Sequence, residues 1–265
     1  MFGNPSFNYN DLPYYLKACF LYCGIVPKDH ETRVRKLIYL WIAEGFIQRR
    51  GKEMMEDIAL DYLEELIHRS MIQVAKRKSD VGVKSCYIHN LLGDLAISEA
   101  QDSNFFEVYE NINFTSPTSI RQLTIHQYQN ISQHLRTSRL RSLICFTTCL
   151  QQKTLTSLLV VKLLIVLDLP RLNEVDHITT LLEEIGDLIH LKYLCLQGWK
   201  IKRLPLSIGR LVNLQTLNIQ HSEIKSIPCT IWKLQQLRHL YGGSNMIVSE
   251  SMTHRCLTNG HLGIN

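Results

Sequence analysis

The sequence predicts a two-part α+β chain: a compact helix-and-hairpin domain, then an α/β solenoid built from stacked repeats. Two observations carry this. Leu188, Leu191, Leu194 and Leu196 recur 23 residues later as Leu211, Leu214, Leu217 and Ile219, and Leu234, Leu237 and Leu240 continue the series. Ile201, Leu204, Pro205 and Ile208 likewise map onto Ile224, Ile227, Pro228 and Ile231. That spacing is the signature of a leucine-rich repeat, whose units bury their apolar residues only by stacking on neighbours. Upstream, apolar residues follow helical spacing to about residue 69 and then give way to two short strand-like runs. Three helices, a hairpin and a closing helix spell a winged-helix domain.

The first helix spans Pro13 to Cys23, with Leu16, Phe20 and Cys23 on one face, and Pro27 with Lys28-Asp29-His30 ends it. The second, Val34 to Phe46, carries Leu37, Ile38, Trp41 and Ile42 at helical spacing, with Gly45 near its end. The third, Lys52 to Arg69, has an apolar stripe from Met55 through Ile58, Ala59, Tyr62, Leu63 and Leu66 to Ile67. Met71 to Ala75 and Val83 to Ile88 read as strands around the polar turn Lys76 to Gly82, and Leu91 to Ala100 closes the domain.

The winged-helix domain is placed at 1–102, a polar linker at 103–117 and the repeats at 118–243. About five strand-bearing repeats are expected, three of them irregular: Ile120/Leu123/Ile125, Leu140/Leu143/Cys145 and Leu164/Leu167/Leu169 match Leu191/Leu194/Leu196. Ile185-Gly186 corresponds to Ile208-Gly209, with Leu182 where the regular repeats place proline. From Gly242 the pattern stops, and 244–265 reads as a polar tail that leaves the last apolar layer uncapped, as in a chain cut short.

Composition is that of an ordinary globular chain: 265 residues, 45% hydrophobic, 20% charged, formal charge +5. The polar start lacks a secretory signal, and the most apolar run, Leu155 to Leu169, is too short and charged to span a bilayer. The expected compartment is the cytoplasm, with the nucleus or the inner plasma-membrane face as alternatives. Eight cysteines then read as reduced, mostly buried thiols; the pairs Cys19/Cys23 and Cys145/Cys149 lack zinc-site spacing. The sequons at Asn113 and Asn130 have no route to glycosylation from that compartment.

No catalytic constellation emerges, and the chain is expected not to be an enzyme. The run Gly45 to Glu53, GFIQRRGKE, has one residue too many between its glycines for a phosphate loop and ends on Glu53 where Ser or Thr should hold magnesium. His30-Glu31 has no second histidine at zincin spacing, so no metal site is expected. The carboxylates of the third helix (Glu53, Glu56, Asp57, Asp61, Glu64, Glu65) read as its solvated face. A DNA-reading winged helix sets its third helix against phosphates, and six acidic residues with no basic one argue against that. The wing is basic at Lys76, Arg77, Lys78 and Lys84, which keeps a nucleic-acid binder as the least favoured alternative.

Asn8-Tyr-Asn-Asp-Leu-Pro13, Cys19-Phe-Leu-Tyr-Cys23, Pro27-Lys-Asp29 and Leu37-Ile-Tyr-Leu-Trp-Ile-Ala-Glu-Gly-Phe46 closely resemble plant nucleotide-binding leucine-rich-repeat disease-resistance proteins of the coiled-coil type. So do Tyr62-Leu-Glu-Glu-Leu66, Arg69-Ser70 and Ile88-His-Asn-Leu-Leu-Gly-Asp-Leu-Ala96. The resemblance implies the winged-helix end of a nucleotide-binding (NB-ARC) switch followed by sensing repeats, acting in innate immunity. In that family a Met-His-Asp motif puts its histidine against the phosphates of ADP and helps hold the closed state. The matching residues are Ile88, His89 and Asn90. His89 can still donate to a phosphate oxygen. Asn90 replaces a carboxylate with a neutral amide, so a charge-assisted bond made there is lost. The alternative for His89 is a strand-end residue bonded within its own domain.

No phosphate loop, acidic Walker-B strand or GLPL-like segment precedes residue 8, so the chain alone is expected to bind ADP or ATP weakly or not at all, with no cofactor of its own. The strand positions between the leucines are Lys192, Tyr193, Cys195 and Gln197; Gln215, Thr216, Asn218 and Gln220; and Arg238, His239 and Tyr241. They are expected on the concave face, polar or aromatic and mostly uncharged, suited to a protein partner. The resemblance makes that partner a pathogen effector or host protein, with a nucleotide-binding domain in trans as a second. The rival function is a free-standing repeat scaffold in which the winged helix is only a cap.

Overall fold

The structure, a computed structural model, describes residues 9–79, 82–109, 121–126, 139–146, 159–169, 181, 183–243, 247–248 and 263–264. Ile120, Cys149, Leu182 and both sequon asparagines lie outside these residues. The chain divides into two compact units, 1–108 and 109–265.

In the first unit, helices α1 (Tyr14–Cys23), α2 (Val34–Glu44), α3 (Met55–His68) and α4 (Asn90–Asp102) surround a small sheet. Its strands are β1 (Thr32–Arg33), β2 (Gln73–Arg77) and β3 (Val83–Tyr87), in the antiparallel order β1-β3-β2. The helical stripes become the core: Leu16, Phe20, Trp41, Ile58, Leu63, Leu66, Ala96 and Ala100 are fully buried. Met55 and Ile67, at the two ends of the α3 stripe, are only half-buried. α2 ends where Gly45 takes φ 85°, and its N–H with that of Phe46 closes on the carbonyls of Trp41 and Ile42. α3 begins at Met55, three residues after the expected start at Lys52, because Glu53 N–H turns back onto the Arg50 carbonyl. Strand β1 has no signal in the sequence; two residues are too few to show a period. It forms because β3 supplies partners, Thr32 opposite Cys86 and Arg33 opposite Ser85.

Cys19, Cys23 and Cys86 are buried in this unit, and burial pushes their thiols up, that of Cys86 to about 12. They stay protonated and serve as small apolar side chains. Cys145 and Cys195 in the second unit are buried as well, and neither is in a disulfide.

The second unit is a parallel sheet wound as a solenoid. Strands Gln122–Ile125, Ser142–Cys145, Val166–Asp168, Tyr193–Cys195, Thr216–Asn218 and His239–Tyr241 pair in sequence order. That makes six repeat strands among the described residues, against the roughly five expected. The connecting segments Glu183–Asp187, Leu206–Arg210 and Cys229–Lys233 are 3-10 turns. Leu191, Leu194, Leu196, Leu211, Leu214, Leu217 and Ile219 are fully buried in one continuous core. Within the span expected as a polar tail, the described residues Ile247–Val248 pair with Ser226–Ile227, and Gly263–Ile264 with His239–Leu240. An edge strand left open would expose unpaired backbone groups, and these short strands satisfy some of them.

Charge also bridges repeats on the outside. Asp187 accepts from Lys162 and from Arg210, each at 3.1 Å, one repeat to either side. Lys162 first, then Arg210, holds its carboxyl below the usual carboxylate range. A depressed folded value means this contribution is present above the ordinary aspartate range and is lost as pH falls through the depressed one. Carboxyl NMR is expected to show Asp187 titrating low, and Lys162→Met to return its midpoint toward normal. An unchanged midpoint in that variant would show that Lys162 is not the cause.

Candidate functional site

The parallel register sorts the predicted sheet residues into rows. Val166, Tyr193, Thr216 and His239 are Cα partners across successive strands, as are Asp168, Cys195, Asn218 and Tyr241. A period-2 strand pointing Leu194, Leu217 and Leu240 inward turns both rows to the opposite face. The rows differ along their length. Tyr193 and Thr216 are 2% and 3% exposed, and Cys195 is also buried, so these three do not offer an open surface. Lys192, Gln197, Gln215, Asn218, Gln220, His239 and Tyr241 are all half-buried, and Arg238 is exposed.

Within these two rows the accessible members, Asn218, His239 and Tyr241, therefore lie on the last two repeat strands. The His239 and Tyr241 rings lie 6.5 Å apart and 16° from parallel, a stacked aromatic pair. Beside them the Asn218 side-chain oxygen accepts from Gln220 N–H at 3.1 Å, which fixes that amide. Stacked aromatics flanked by amides and Arg238 favour a protein surface, because such side chains offer contact area and hydrogen bonds with little entropy to lose.

His89 stands elsewhere, at the start of α4. It is exposed and caps the helix, its Nδ1 accepting from Leu91 N–H at 3.3 Å. That places the proton on Nε2, free of the cap bond. Ile88 is buried and anchors the turn; Asn90 is the first helical residue. Lys28 pairs with Asp94 at 2.8 Å, tying the turn after α1 to the first turns of α4. One imidazole at a helix N-terminus supplies few donors, whereas a di- or triphosphate is held by a cradle of backbone amides. The described residues do not provide such a cradle and do not fit ADP or ATP by themselves. Among the described residues there is also no cluster of three or more His, Cys, Asp or Glu that could hold a metal. None of their helices is long and apolar enough to cross a membrane.

A further feature escaped the sequence patterns. Arg33 and Arg35, at the start of α2, share a cleft of about 760 Å³ with Arg77, Lys78 and Lys84 of the wing. The dense run Arg33-Val-Arg35-Lys36 was the available signal, yet nothing local says that the wing folds toward it. Glu56, expected on the solvated face of α3, is half-buried and lines this cleft, so that face is not uniformly solvated.

A winged helix followed by a leucine-rich-repeat sheet, its accessible end polar and aromatic, defines the class of this chain. Residues 25–96 match the family described as the disease resistance protein winged helix domain, and residues 139–257 match a leucine-rich repeat region. The chain is 38% identical over 208 residues to disease resistance protein RPP13 of Arabidopsis thaliana, covering 76% of this chain and 23% of that one. It is 34% identical over 211 residues to ToMV resistance protein Tm-2(2) of Solanum lycopersicum, covering 76% and 24%. A leucine-rich-repeat protein of Leptospira interrogans, solved experimentally, aligns at 25% identity over 46% of this chain and 31% of that one, TM-score 0.35. The chain is a relative of plant disease-resistance proteins, carrying their winged-helix domain and a leucine-rich-repeat region. It spans about a quarter of the length of the curated relatives it matches.

Proposed function

We propose that this chain acts in plant disease resistance as the winged-helix and sensing segment of an immune receptor. The last strands of its sheet recognise a pathogen or host protein in the cytoplasm, and the winged helix packs against a nucleotide-binding domain. The observation that carries this reading is the order of the two units, with a polar and aromatic sheet end accessible at Asn218, His239 and Tyr241. Partner binding then shifts a closed-to-open equilibrium by its differential affinity for the two states. His89 presents its Nε2–H to a phosphate held by the nucleotide-binding domain, on this polypeptide or another, and Asn90 contributes no charge there. In this reading the segment contributes recognition and switching to the receptor.

Calorimetry tests the switch. The chain alone is expected to show no micromolar ADP affinity. Mixed with the nucleotide-binding domain of a relative, it should tighten ADP binding. His89→Ala should weaken that binding roughly tenfold, the scale of one hydrogen bond to a charged group. Micromolar binding by the chain alone would refute the incomplete site. Indifference to His89→Ala would favour the scaffold reading, in which the winged helix is only a cap. The engagement of His89 Nδ1 with its own helix supports that rival.

A further inference from the structure

We propose that the basic cleft between α2, α3 and the wing is a docking site for an acidic protein segment that carries an apolar anchor residue. Its rim holds five cations from two distant stretches of chain, Arg33 and Arg35 around the start of α2 and Arg77, Lys78 and Lys84 from the wing, all exposed. Within the described residues Arg33, Arg35 and Lys78 form no ion pair, whereas neighbouring Lys76 is held by Glu31 at 2.7 Å. Glu31 also accepts from Ser85. Glu56 lines the cleft and Glu31 lies close enough to Lys84 to interact with it, so five cations outnumber two carboxylates and the cleft keeps an excess of positive charge.

The floor decides what kind of anion fits. It is apolar, made by Val34, Ile38 and Val83, and Leu60 rises into it 37% exposed. A nucleic-acid backbone would lay evenly spaced phosphates across this floor and against Glu56, with Asp57 and Asp61 exposed on the same helix. It would meet like charge on α3 and gain little from the floor. A peptide of mixed character sets its carboxylates on the arginine and lysine rim and an aliphatic side chain on Leu60. This arrangement recurs in interfaces, with an apolar centre inside a charged rim. Unlike the sheet end, this surface lies wholly in the winged-helix unit, so it supplies a second, separate point of protein contact.

Fluorescence polarisation on the full chain tests the site with a short labelled peptide alternating acidic residues and leucine. Two controls accompany it: the same peptide with lysines replacing the acids, and a labelled DNA duplex. The acidic peptide is expected to bind and to weaken with added salt. Arg35→Glu with Lys84→Glu should weaken it on the order of tenfold or more, at an unchanged melting temperature. Leu60→Ser should weaken the peptide alone. The proposal is overturned if the acidic peptide does not bind, if the lysine peptide binds equally well, or if Leu60→Ser leaves affinity unchanged. Tighter binding of the duplex, lost in the same charge-reversal variant, would assign the cleft to nucleic acid instead.

Discussion

Replacing Trp41 with alanine is expected to destabilise the winged-helix unit by about 4 kcal/mol, because truncating a buried aromatic removes its transfer energy and leaves a cavity. Trp41 sits at the centre of the buried face of α2, fully enclosed, with Leu37 and Ile38 on the preceding turn. A loss of that size is a large share of what a small domain has in total. Trp41→Phe should be far milder. The indole N–H is buried without a hydrogen-bond partner among the described residues, so phenylalanine removes an unsatisfied donor while keeping much of the volume. Urea titration followed by far-ultraviolet circular dichroism separates the two variants. Similar midpoints for Ala and Phe would mean that the site relaxes around the hole.

Gly186→Ala is expected to open the solenoid between adjacent repeats, at a cost of about 3 kcal/mol. Consecutive 3-10 turns stack so closely here that a Cβ on Gly186 would fall on the Ser207 carbonyl oxygen and 2.6 Å from the Ser207 Cβ. One repeat on, a Cβ on Gly209 would lie 2.7 Å from both the Cβ and the carbonyl oxygen of Thr230. These are backbone atoms and Cβ carbons fixed to the backbone, not flexible ends, so the turns themselves must separate. The gain of up to about 1 kcal/mol from restricting the unfolded chain does not offset this. Gly243→Ala, with nothing within 4 Å of its added carbon, is the neutral control. Because each repeat touches only its neighbours, the damage should be local. Hydrogen exchange should quicken at the Tyr193 and Thr216 amides, which bond to the Ile165 and Lys192 carbonyls, and much less in α1 and α3. Uniform loss of protection across the chain would sink this account.

Much of the molecule is legible in its leucines. The 23-residue period names the residues that enter the core, and Leu191, Leu194, Leu214 and Leu217 are fully enclosed. Helical stripes do the same for Leu16, Phe20, Trp41 and Leu63. What periodicity misses is pairing that depends on remote chain. Thr32–Arg33 becomes a strand only because β3 lies beside it, and 263–264 joins the solenoid only because His239–Leu240 offers an edge.

The candidate site divides along the same line. Sequence alone placed Tyr193, Thr216, His239 and Tyr241 on one kind of strand position, since alternation along a strand is a local property. Only the tertiary structure separates the buried Tyr193 and Thr216 from the accessible His239 and Tyr241, because accessibility is set by what surrounds a residue from elsewhere in the chain. The basic cleft is the stronger case. Arg33 and Arg35 are unremarkable helix-start residues, and Lys84 an ordinary wing lysine, until β3 pairs with β1 and brings them to one rim. Sequence determined which side chains go inside and in what order the two units follow; the fold decided which surfaces remain open and where charge converges. Burial follows a local period, whereas an electrostatic surface sums over residues that only folding makes neighbours.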